Sequence, residues 1–389
     1  MKYRDIVLTV MLLLLVPLVA CTTTQTAPPP ASTPVPQPGG AAKPASWEDN
    51  WKAALDGARK EGKVVVYASS IAPAVKNAVP IFKQKYGIDL EVITGRGTEL
   101  RNRLIQERAN GIYVADIMVS GLNTIFGAVK TSGSIAPIEP LLVLPEVLDQ
   151  KVWFRGQLPW GDKERLVLNI FYYPSTMINI NSDFVKPDEI KSLNNLLDPK
   201  WKNKIIINDP SVTGSGFNGF ASLLYNKIVD QDYFRKLVSQ QNQMLRDQRL
   251  QADWLARGKY HIALWAVPEQ LAAFQEAGAP ILSIQPIEGT YLSIDGGGTV
   301  LVKGAPHPNG AKVFLNWILS KEGHQFIQDE MQQHGARDDM DTSKIDQERV
   351  RKPNGKYFVG ANNIEEWVLT EQDKYLEIAK NLFSPLTER

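Results

Sequence analysis

The chain holds one cysteine, Cys21, among its 389 residues. No disulfide can therefore form within one copy, and a metal cluster built on several thiolates is excluded. Histidine is nearly as scarce: His261, His307, His324 and His334 show no metal-ligand spacing. That scarcity leaves few groups fit to act as a general base near neutral pH. An excess of one charge is missing too, since 43 Lys and Arg stand against 42 Asp and Glu. A basic face for nucleic acid is not expected. The chain also lacks a G-x-S-x-G elbow, an H-E-x-x-H pair and a Walker loop. These absences argue against an enzyme, although a triad assembled from distant residues would leave no such signature. Long apolar runs are limited to Ile6–Leu15, short of the roughly 20 residues that a membrane-crossing helix needs.

What is present begins at that run. Lys2 and Arg4 precede it, and Pro17 and Leu18-Val19-Ala20 lead to Cys21, which describes an export signal. The cysteine directly after Leu-Val-Ala resembles the bacterial lipoprotein box, which implies lipidation of Cys21 and a boundary of the signal at residues 1–21. Residues 22–46 carry seven prolines and one charge, Lys43, too little apolar surface for a core. They read as a disordered, Pro-rich tether of extended polyproline geometry. The expected location is the cell envelope, on the outer face of the cytoplasmic membrane or in the periplasm, held by the lipid.

The remaining residues, 47–389, exceed a typical single domain, so two lobes are expected. Ser46 and Asp49 form a capping signal for a helix whose apolar face carries Trp47, Trp51, Ala54, Leu55 and Ala58. After Gly62, KVVVYA at 63–68 reads as a buried strand. A helix follows near 74–86 with Pro80 inside, then a strand at 89–94, a helix at 97–110 and a strand at 115–120. This alternation predicts an α/β fold with helices on both faces of a mostly parallel sheet. Residues 166–181 read as strands interrupted by Pro174 that carry the chain between lobes. Beyond them, strands are predicted at 204–208, 261–265, 281–287 and 299–302. Helices are predicted at 217–228, 231–240, 242–258, 268–277 and, as one long helix, 309–330.

Several segments, in order, resemble substrate-binding proteins of ABC importers. They are KVVVYASS, FKQKYGIDLEVITGRGTELRNRL, ADIMVS, LLDPKWKNKIIINDPSVTGSG, LARGKYHIALW and GGGTVLVKGAPHPNGAKVFLNWILSKEGHQFI, spanning about 62–330. The branch is the family 1 type grouped with ferric-iron, thiamine and aminoalkylphosphonate binders. The resemblance implies a periplasmic-binding-protein-like type II fold, two lobes with mixed, mostly parallel sheets joined by crossing hinge strands. It also implies a small-molecule ligand, a permease partner, no cofactor and a monomer. The lobes are expected at 47–165 plus about 293–345 and at 166–292, with 346–389 an extension packing on them.

In open α/β sheets ligands sit where strands give way to helix N-termini. Candidate ligand residues are therefore Ser69 and Ser70 after the first strand, Arg96, Gly97 and Thr98 after the second, Ser120 after the third, and Gly214 and Ser215 before the 217–228 helix. Trp265 is a candidate aromatic wall or a core residue. Glu269 and Asp295 are candidates for an amine, Arg96 for a carboxylate or phosphonate, Gly297 for close backbone approach, and Tyr173 for a ring facing the cleft. Gly214, Gly216 and Gly219 match G-x-G-x-x-G, but residues 209–213 separate them from the preceding strand, against a dinucleotide site. Many ferric binders of this branch place adjacent tyrosines just after the strand equivalent to 260–265, often with a histidine in the first turn. Here those places read Leu264-Trp265-Ala266-Val267 and Ala68-Ser69-Ser70, which disfavours iron as ligand and leaves no metal residue to name. Iron binding and a sensor role without transport remain the alternatives.

Overall fold

The first helix, Trp47–Glu61, starts where Ser46 and Asp49 cap each other and stops where Gly62 turns left-handed, with its N–H donating to the Ala58 carbonyl. A computed structural model describes residues 46–294 and 296–387; Cys21, the export signal, the tether and Asp295 lie outside the described residues. Lys63–Ala68 is β-branched and buried from Val64 onward, so both its faces are covered. It pairs in parallel with Asp89–Thr94 on one side and Ile117–Ser120 on the other. Gly298–Val302 then joins Ile117–Ser120 antiparallel, and Ile135–Ala136 and Val167–Asn169 both pair with it. These six strands form the first lobe's sheet.

The second lobe holds five strands in the order Ile281–Ile284, Ile178–Asn181, Ile262–Leu264, Ile205–Asn208 and Gln243–Leu245. The last three run parallel, and Ile178–Asn181 is antiparallel to both its neighbours. Both sheets are thus mixed, because the chain enters each lobe twice. A third sheet marks the crossing: Tyr173–Pro174 pairs antiparallel with Thr290–Ser293, and Tyr357–Val359 adds to that strand in parallel. Pro174 lies at this short junction, where its missing N–H interrupts no long ladder.

Several elements differ from expectation. Residues 242–258 are a strand, Gln243–Leu245, followed by a helix, Gln248–Ala256, because the Asp247 side chain caps the Leu250 N–H and starts the helix late. The stretch 309–330 is two helices, Pro308–Leu319 and Lys321–Met331. Ser320 is extended between them; its hydroxyl donates to the Trp317 carbonyl and accepts from the Gly323 N–H. Pro80 does not break the helix Ala72–Tyr86; it is exposed, so water can serve the carbonyl it leaves unpaired. Val167–Asn169, expected beyond the first lobe, belongs to the first sheet, so the chain crosses some residues later than 165.

The C-terminal segment touches both lobes. Trp367 lies 6.0 Å from Phe217, and Phe383 packs against Phe220, Phe234 and Trp265. One apolar cluster runs from Phe126 and Val129 of the first lobe through Trp367 and Val368 to Phe217 and Phe234 of the second. Residues 45–389 accordingly form a single compact unit.

Candidate functional site

Between the lobes lies a cavity of about 360 Å³. The crossing strands form its floor through Tyr173, Ser175, Thr176, Tyr291 and Ser293. The second lobe contributes Gly214, Ser215, Asn218, Gln248 and the stretch Ala266–Gln270, and the first lobe adds Ser70, Met331 and Gln333. Its size suits a small organic molecule.

Three helices of the second lobe begin on this cavity: Ser215–Tyr225, Gln248–Ala256 and Pro268–Glu276. A helix start presents N–H groups without intrahelical partners and the positive end of the dipole, which together favour an anion. Two of the three, at Gly214 and Val267, have no side-chain cap. Two amide oxygens on the lining are buried without a hydrogen-bond partner, Asn218 Oδ1 and Gln333 Oε1. An unpaired buried amide is costly enough that most find a partner in protein or solvent, so these atoms point to an occupant. Among the described residues, Glu269 is the one charged side chain on the lining. It accepts from Gln333 Nε2 at 2.9 Å and from Arg349 Nη2 at 3.3 Å.

Of the residues proposed from sequence, Ser70, Tyr173, Gly214, Ser215 and Glu269 line this cavity. Ser69, Gly97 and Ser120 gather at the strand ends of the first lobe but are not on the lining. Ser69 Oγ donates to Ser120 Oγ at 2.9 Å, and a Cβ on Gly97 would press on Thr124 and Ser120. Arg96 and Thr98 are exposed, with Arg96 beside Glu99. Gly297 is buried against Phe171, where a side chain would collide with that ring and backbone.

Trp265 takes the core alternative. Its backbone is left-handed, at φ 57°, which turns the indole away from the lining into the second lobe, against Phe234 and Phe383. It is 4% exposed. Its carbonyl accepts from Ser215 Oγ at 2.8 Å, so it shapes the cavity through the backbone. The three glycines of the G-x-G-x-x-G match have separate packing duties. Gly214 starts the helix, Gly216 lies against the Asn208 backbone, and Gly219 leaves room for the Trp265 ring. Sequence reading missed Asn218, Gln248, Tyr291, Ser293 and Gln333. Tyr291 and Ser293 lie on the short, wholly buried strand at the return crossing, whose sequence TYLS shows no alternation, and Gln333 carries no signal either.

Two other features have the outline of a site without its chemistry. A more open groove of about 630 Å³ lies on the second lobe alone, lined by residues such as Asn194, Lys227 and Lys236, and none of the unpartnered buried polar atoms lies on it. Asp162, Glu164 and Glu365 could between them hold a cation, but the Lys130 ammonium already reaches all three at 2.8, 2.6 and 2.8 Å. Burial alone would lower the Lys130 pKa; the three carboxylates outweigh it and hold the group above the ordinary lysine value.

Known proteins resemble this chain in sequence and in fold. An uncharacterised protein of Haemophilus influenzae is 25% identical over 276 residues, covering 69% of this chain and 76% of its own. Iron uptake protein A1 of Synechocystis sp. is 24% identical over 269 residues, covering 63% and 68%. Among solved structures, the periplasmic binding protein AfuA of Actinobacillus pleuropneumoniae, which has fructose-6-phosphate bound, superposes with a TM-score of 0.58. It covers 84% of this chain and 98% of AfuA at 23% identity, a likeness of fold. The family of bacterial extracellular solute-binding proteins matches residues 64–330, both lobes and both crossings. With its mixed sheets, crossing strands and polar interlobe cavity, the chain belongs to that family, the ligand-capturing components of ABC importers.

Proposed function

We propose that this protein captures a small organic ligand bearing an anionic or zwitterionic group between its lobes and delivers it to an ABC permease. It does so as a monomer held at the cell envelope by a lipid on Cys21. The observation that carries the anionic group is the convergence of three helix N-termini on the cavity. The unpartnered amide oxygens of Asn218 and Gln333 only accept, and call for a hydroxyl or ammonium donor elsewhere on the same ligand. Hinge closure of the lobes around the ligand follows from a ligand that touches both. AfuA, with its bound sugar phosphate, gives the reading a precedent in fold.

Iron(III) is the second reading. Tyr173, Tyr291 and Glu269 all line the cavity, residue types that can supply hard oxygen donors absent from the two turns where the family's ferric binders carry theirs. Against it, Glu269 is already held by Gln333 and Arg349. A thermal-shift screen over phosphates, phosphonates, carboxylates, amino acids, sugars and ferric salts separates the two. An organic anion at about a hundredfold excess over its Kd stabilises by about 2.7 kcal/mol, a rise in Tm of roughly 4 °C for a single unit of this length. A rise with ferric salts alone, lost in Tyr173→Phe, replaces this reading with iron. Cys21→Ser should release the protein from membranes.

A further inference from the structure

Arg349 is the least compensated of three buried arginines in the segment after Met331. Arg337 makes two bonds to Asp339, both 2.9 Å, and donates to the carbonyls of Glu146 and Leu319. Arg351 pairs with Asp338 at 2.8 Å and donates to the carbonyls of Tyr172 and Gly335. Arg349 is 5% exposed, yet among the described residues its one hydrogen-bond acceptor is Glu269, at 3.3 Å, and its Nε has none. The Glu269 side chain is 40% exposed, so the pair lies at the edge of the cavity. The guanidinium carbon stands 5.3 Å from the centre of the Tyr173 ring, whose residue lines the cavity floor. Thr176 and Pro268 line both the cavity and the adjoining pocket that holds Arg349.

A buried guanidinium with a single long partner is poorly compensated for its lost hydration. Its planar fork of donors matches a carboxylate or phosphate oxygen pair. We propose that Arg349 recognises the anionic group of the ligand, a carboxylate, phosphate or phosphonate, and that Glu269 sets the affinity by competing for the same guanidinium. The assignment rests on the capture reading above and adds to it the residue that selects charge. Gln333 ties the competition to closure. It approaches from the first lobe, donates to Glu269 of the second, and its buried Oε1 stays unpartnered.

The test is calorimetric titration of the full chain with inorganic phosphate and with citrate, using fructose as an uncharged control. Arg349→Gln should weaken whichever anion binds by about tenfold or more, the loss expected for hydrogen bonds to a charged group. Arg349→Lys should fall between. Glu269→Gln keeps the shape but removes the competing charge, so it should tighten anion binding several-fold, a gain that loss of a merely structural contact would not produce. Because Glu269 is half-exposed, that variant reports even if Arg349→Gln folds poorly. If Glu269→Gln weakens binding of the anion, the carboxylate does not compete for the guanidinium and the proposal falls. If an anion binds and Arg349→Gln leaves its affinity unchanged, the Arg349 assignment falls while the capture reading stands. If neither these anions nor any phosphate, phosphonate, carboxylate or amino acid of the thermal-shift screen binds the wild type, anion capture itself is overturned.

Discussion

The two lobes present the same turn chemistry to the cleft and use it differently. In the first, the Ser69 and Ser120 hydroxyls bond to each other, and Gly97 is pressed against Thr124. In the second, Ser215 Oγ donates to the Trp265 carbonyl and the Gly216 N–H to Asn208 Oδ1, yet Asn218 Oδ1 stays unpartnered on the cavity wall. Helix starts without a side-chain cap occur in both lobes, at Ile71 and Gly121 as at Gly214 and Val267. A Gly- and Ser-rich turn at a strand end marks a place where a ligand can bind. Whether its donors remain free is settled by the neighbours that fold against it.

The largest way to break the comparison is Trp265→Ala. If Trp265 is core, removing it should cost about 3–5 kcal/mol of stability by chemical denaturation; a stable variant with weakened ligand binding would return the indole to the cavity wall. Lys130→Met comes next. It leaves three carboxylates, one fully buried, around an apolar side chain, and should cost about 3 kcal/mol; an unchanged denaturation midpoint would show that those acids are solvated.

A third expectation concerns acid. Burial pushes both His324 and His334 down to about 3. The unfolded chain takes up those protons below about pH 6.5, while the folded chain resists until about pH 3. Stability should therefore be full above pH 6.5 and fall as pH drops through that window, by about 1.4 kcal/mol per unit for each histidine. A flat stability profile between pH 6.5 and 4 would show that these rings reach water. The smallest effect sharpens the comparison most directly. Ser70→Ala, on the lining, should lower anion affinity up to about tenfold, whereas Ser120→Ala should leave it within about twofold. Equal losses in the titration would mean that both lobes' turns touch the ligand.

Much of the fold was legible because the signals are local. KVVVYA and KIIIN are short β-branched runs that can be little else but buried strands, DLEVIT reads as a strand and lies at the sheet edge, and the Ser46–Asp49 box and Gly62 bound the first helix by themselves. Where a polar residue inside a helical pattern turned out to be a cap, at Asp247 and Ser320, the pattern ran on past the true break. The site was legible only in part. Ser70, Tyr173, Gly214, Ser215 and Glu269 sit in or beside recognisable strand-to-helix or crossing segments, so their positions followed from the order of elements. Gln333 and Arg349 come from a stretch with no periodicity, and they reach Glu269 across 64 and 80 residues of chain.

What the sequence alone determined is the set of elements, their alternation and the family to which the chain belongs, since these depend on patterns within a few dozen residues. What only the tertiary structure decided is which polar groups were consumed and which stayed unpaired. The Ser69–Ser120 bond, the inward turn of Trp265 at its left-handed backbone and the loose Glu269–Arg349 pair each join residues distant in the chain. The physical reason is that a hydrogen bond or a buried charge is fixed by whatever folds against it, and that neighbour is not written beside it in the sequence.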